Sequence, residues 1–121
     1  MITMQKAVER VYKHFIVEKN PKAIVCEKCV YQLPDGIGGC AVGIQPEFRA
    51  IYRKFMEELS IKELVDAYPE VRAALGIGRT TTIRFWEDLQ LAHDYGPFEY
   101  LGKRLETLCR RYDLKGVGNV A

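Results

Sequence analysis

The sequence predicts an α+β domain in which a short antiparallel β-hairpin over about 29–43 packs against about five α-helices. Three observations carry that reading. Residues 29–43 (CVYQLPDGIGGCAVG) place Val30, Tyr31 and Leu33 before a Pro34-Asp35-Gly36 turn and Ala41-Val42 after Gly38-Gly39, the punctuation of two strands around a tight loop. Most of the remaining chain repeats apolar residues at helical spacing. Finally, 121 residues at 48% hydrophobic content suffice for a real core, so residues 1–121 are read as one domain.

Taken in order, Met4, Ala7, Val8, Val11, Tyr12, Phe15 and Ile16 form one stripe behind a Thr3 cap, which predicts a first helix over about 3–18, ended by Asn20-Pro21. The hairpin follows. Pro46 then suits the first turn of a helix over about 46–59, with Phe48, Ile51, Tyr52, Phe55, Met56 and Leu59 on its apolar face. Ser60 and Glu63 have capping-box spacing for a short helix over about 60–67, and Pro69 opens another over about 69–75 that stops at Gly76. A helix over about 80–94, capped by Thr80 or Thr81, carries Ile83, Phe85, Trp86, Leu89 and Ala92, and a last one over about 98–112 carries Phe98, Leu101, Leu105, Leu108, Cys109 and Tyr112.

Eighteen basic and sixteen acidic residues leave a formal net charge of +2, too slight to indicate nucleic acid or an acidic membrane as partner. The first residues interleave charges and lack a signal-peptide core, and no apolar run approaches a membrane span, so a cytoplasmic protein with no membrane partner is expected. In a reducing compartment the four cysteines read as thiols or metal ligands rather than disulfides.

Several residue sets bear on chemistry. Cys26, Cys29 and Cys40 offer three thiolates for zinc, with His93, His14 or Cys109 as the fourth ligand, but with one knuckle only the reading favours ordinary thiols and no cofactor. His93 lies four positions after Leu89 and seven after Trp86, so it should be buried on the apolar face. A thiol hydrolase would use Cys40 as nucleophile and His93 as base. Asp94 leaves the helix about 100° further round and is expected to point away from the imidazole, so no catalytic residue is assigned. The run Gly36-Ile37-Gly38-Gly39-Cys40-Ala41 matches a dinucleotide fingerprint in form but lacks the helix that must follow it.

Residues 71–86 (VRAALGIGRTTTIRFW) resemble the helix-turn-helix of bacterial and phage regulators, with Arg79, Thr80, Thr81 and Arg84 as the base-contacting set. Arg72 stands where a small residue is usual and Ile83 sits one place late as anchor. The same loop, with free amides at Thr80 to Thr82, could instead cradle an anion.

The combination of Cys29-Val30-Tyr31, Cys40-Ala41-Val42-Gly43, Leu89-Gln90 and His93-Asp94 resembles a group of small uncharacterised proteins encoded by bacteriophages and prophages. This chain has Ile44 where members of that group often carry a further cysteine. The resemblance implies a viral, accessory role in host takeover or anti-defence, in the host cytoplasm. The function expected is therefore non-catalytic binding to a host macromolecule, a host protein first. The alternatives are a DNA-binding regulator using residues 71–86 and a Cys/His thiol hydrolase.

Overall fold

The computed structural model describes residues 1–22, 24–25 and 28–117, with backbone alone at 24, 25, 28 and 29. Helix α1 spans Met4–Tyr12, its N-terminus closed by the Thr3 hydroxyl, which accepts the Lys6 N–H, and Ala7, Val8 and Val11 are buried. The chain then widens into a π-helical turn, Lys13–Val17, where the Glu18 N–H donates to the Lys13 carbonyl five residues back. Helix α2 (Pro46–Arg49) is followed by a 3-10 turn (Lys54–Glu58), α3 (Ile61–Ala67), α4 (Pro69–Ala74) and α5 (Ile83–Asp94). A second 3-10 turn (Phe98–Tyr100) leads into α6 (Leu101–Arg111). No helix among these residues is long and apolar enough to cross a membrane.

Helices α3 and α4 pack on one another, α3 and α6 pack on α5, and α1 packs on α6. Trp86, Phe85 and Leu89 of α5 are fully buried with Phe48, Leu75, Leu101 and Leu105. Each such side chain contributes roughly 1.5–3 kcal/mol on leaving water. Buried polar groups are satisfied in place. Gln45 donates to the Ala7 and Ala41 carbonyls and accepts from Arg10, and the Trp86 Nε1–H donates to the Leu75 carbonyl at 2.9 Å.

The architecture corrects the α+β expectation. The fold is helical, and the hairpin over about 29–43 does not form. Among the described residues, extended pairing is confined to a two-residue antiparallel contact of Ile24–Val25 with Lys28–Cys29 and an isolated bridge between Ile77 and Thr81. Two backbone bonds cross the loop, from Leu33 N–H to the Gly38 carbonyl and from Cys40 N–H to the Val30 carbonyl, but side chains take other amides that a ladder would use. The Asp35 carboxylate accepts from Ile37 and Gly38, and Glu57 accepts from Tyr31 at 2.8 Å and Gln32 at 3.1 Å. The Gln90 side chain accepts from Val42, while Ile44 N–H donates to Cys40 and Gln45 N–H to Val42, winding 41–44 into a helical turn. Gly39 and Gly43 serve close packing rather than a strand turn, because a Cβ on either would run into the Tyr31 carbonyl oxygen.

The helix expected over about 46–59 is also broken. Arg53 is extended, Ile51 and Tyr52 are only half-buried, and Phe55 is 50% exposed while Met56 is buried. The break lets the Arg49 guanidinium donate to the Gly36, Ile37 and Gly43 carbonyls and lets Glu57 reach back to the loop. Helix α5 begins at Ile83 rather than near Thr80, with Thr82 as its cap accepting the Phe85 N–H at 3.1 Å.

Candidate functional site

The glycine turn between α4 and α5 is tied into the core. Gly76 takes φ +68°, and the N–H groups of Arg79, Thr80 and Thr81 all donate to its carbonyl at 3.0–3.1 Å. Those amides are therefore unavailable to an anion. The Thr80 hydroxyl donates to the Ile2 carbonyl, and the buried Thr81 hydroxyl donates to Leu75 and accepts from Trp86 Nε1. Neither hydroxyl is turned outward toward a base edge, and a reading helix would begin only after both. Arg79 and Arg84 are exposed, so the structure separates the four candidates into two internal and two solvent side chains.

Cys40 and His93 are each fully buried. Burial pushes the Cys40 thiol up to about 12, an effect that the Gln90 side chain and the Gly43 and Val42 backbone only partly offset. A thiol in that state is protonated at neutral pH and is a poor nucleophile. His93 packs against Phe15 and Phe98, ring centroids 5.0 and 6.3 Å apart, and its Nδ1 lies 2.7 Å from Asp94 Oδ1. A carboxylate accepts, so Nδ1 carries the proton. This corrects the expected position of Asp94. At the last residue of α5 its side chain folds back onto the imidazole instead of following the helical step.

For zinc, no group of three or more His, Cys, Asp or Glu side chains converges among the described residues. Cys26 and the Cys29 side chain lie outside them. Cys109 is buried on α6, as its stripe predicts, and His14 is held by Asn20, which donates to its backbone carbonyl at 3.0 Å.

A groove of about 440 Å³ with mixed chemistry runs between the 3-10 turn with the start of α3 on one side and the outer face of α5 on the other. Val30, Tyr31 and Leu59 supply apolar surface, and Leu91, 51% exposed, stands at its α5 edge. Tyr31 is fixed by its hydroxyl, which donates to the Leu59 carbonyl at 2.7 Å, and burial raises that phenol well above its ordinary range. Among the described residues, four carboxylates line the groove (Glu57, Glu58, Glu87 and Asp94) against one ammonium, Lys62. A second cavity of about 450 Å³ adjoins it and shares Val30 and Glu57. Glu57 is the partition. Besides the two loop amides it accepts from the Tyr52 hydroxyl at 2.6 Å, so one carboxylate holds three separate segments together.

Sequence reasoning missed Glu57, Glu87 and Leu91. The one signal available was that Leu91 lies about 200° round α5 from Leu89, an apolar residue on an otherwise polar face. Neither a family model nor any curated protein or solved structure matches this chain.

Proposed function

We propose that this chain is a non-catalytic binding protein, of the phage-accessory kind its sequence resembles, which engages a host protein through the groove between α3 and α5. One observation carries the reading: Leu91 is held half in water at the edge of a cavity large enough for a ligand. Covering an apolar side chain of that size is worth about 1 kcal/mol or more to a complex. The nearby groups with catalytic potential support binding over chemistry, because the Cys40 thiol is protonated and His93 is enclosed. The internal use of Thr80 and Thr81 weighs against DNA as the partner.

The test compares wild-type and Leu91→Arg protein, both checked for folding by circular dichroism, in capture from bacterial lysate. A protein retained by the first and lost by the second is purified and titrated calorimetrically. The expected result is one-to-one binding weakened about tenfold or more by the substitution. If no protein is lost selectively with Leu91→Arg, the groove is not the binding surface.

A further inference from the structure

We infer that the occupant of the groove is an extended peptide segment of the partner protein that carries a lysine or arginine close to an apolar side chain. This rests on the binding reading above and specifies what the groove accepts.

Charge complementarity is the first argument. The whole chain is formally +2, yet among the described residues that line the groove four are carboxylates and one is an ammonium. Negative charge thus predominates in the described lining, an arrangement that favours a cationic group and repels an acidic one. Glu57 is spent on the loop amides and Tyr52, and Asp94 accepts the hydrogen bond from His93 Nδ1–H. Of the other two, Glu58 is already engaged, and the exposed Glu87 on α5, one turn before Leu91, is the carboxylate chiefly assigned to the incoming cation.

Length is the second argument. The two cavities, about 440 and 450 Å³, meet at Val30 and Glu57. Each alone falls within the roughly 300–1,000 Å³ of a small-molecule site, and together they outrun any single side chain. The second cavity differs in character. Leu33, Pro34 and Tyr52 line it, and Lys54 puts a positive charge there. A peptide lying along both would seat its basic residue beside Glu87 and Leu91 and its apolar residue against Leu33 and Pro34. Lys54 disfavours the reverse direction.

The test uses a displayed library of random dodecapeptides panned on the wild-type chain. Enriched peptides are synthesised with a fluorophore and titrated by anisotropy at about 50 and 300 mM salt, where screening differs severalfold. Selected peptides are expected to pair Lys or Arg with a nearby apolar residue, to bind more weakly at the higher salt, and to lose about tenfold with Glu87→Lys or Leu91→Arg. Peptides that bind in the groove, as shown by loss with Leu91→Arg, but are unaffected by Glu87→Lys overturn the basic-peptide inference and leave the groove reading standing. Enrichment of acidic or neutral sequences, or no enrichment, likewise overturns the inference. Selected peptides insensitive to both substitutions overturn the groove reading as well.

Discussion

Replacing Glu57 with alanine removes a single side chain that joins the 30s loop, the 3-10 turn and Tyr52. The carboxylate accepts three hydrogen bonds, at 2.8 Å from Tyr31 N–H, 3.1 Å from Gln32 N–H and 2.6 Å from the Tyr52 hydroxyl. Bonds to a charged acceptor contribute about 1.5–3 kcal/mol each, and water in the adjoining cavities recovers part of that once the carboxylate is gone. The two amides then account for most of a net loss of about 3 kcal/mol. Unfolding entropy near 2.1 cal/mol/K per residue amounts to about 0.25 kcal/mol/K for 121 residues, so the melting temperature should fall by about 12 °C. Calorimetry measures the shift, and hydrogen exchange at Tyr31 and Gln32 locates it. Glu57→Gln keeps one acceptor oxygen and should recover about half. A fall of less than about 3 °C for the alanine variant, with exchange at those two amides unchanged, would refute the assignment of Glu57 as the tie between segments.

Thr81→Val keeps the shape and deletes the hydroxyl that donates to Leu75 and accepts from Trp86. Because Trp86 and Leu75 retain their own bond, nothing is orphaned and the loss should be about 1–2 kcal/mol by urea titration; no loss would argue that this threonine is free for another role. The Cys40 thiol, pushed up to about 12 by burial, should resist iodoacetamide at pH 7.4 by about a thousandfold relative to a free cysteine and react once the chain is unfolded. Rapid labelling of the folded chain, slowed by His93→Ala, would restore the hydrolase reading. The same thiol carries a pH dependence. Between about 9 and 12 the unfolded chain has lost this proton and the folded chain has kept it, so stability is intact below 9 and falls as pH rises through that window. Its share is about 1.4 kcal/mol per pH unit, which Cys40→Ala should remove, while Cys109, Tyr31, Tyr52 and Tyr112 shift the same way and keep the rest of the slope.

Elements governed by their own periodicity were legible in the sequence. Val8 and Val11 of α1, and Trp86, Leu89 and His93 of α5, are buried as their spacing requires. The Ser60–Glu63 capping box opens α3 as its residue types demand. The 29–43 stretch was misread because Pro-Asp-Gly signals a turn without saying what the turn serves. There Asp35 closes the loop on itself, and the acceptor for Tyr31 and Gln32 sits 26 and 25 residues away on Glu57, a distance at which sequence pattern is silent. The break within 46–59 goes with contacts of the same long-range kind, since Arg49 and Glu57 both bond to the loop. The groove was missed for a related reason. Glu87 and Leu91 look like an ordinary solvent face until the 3-10 turn is brought opposite them.

The final turn of α5 ends between two cations from distant parts of the chain. Lys22 Nζ donates to the Asp94 carbonyl at 2.7 Å, and Arg104 donates to the Ala92 carbonyl at 2.8 Å and the Pro97 carbonyl at 2.7 Å. Both neutralise the negative pole of the helix, and both anchor the turn that bears Leu91. The position of that leucine is consequently set in part from Arg104 of α6 and from Lys22 after α1. Loosening either tether would blur the edge of the groove from behind, with Leu91 itself left untouched.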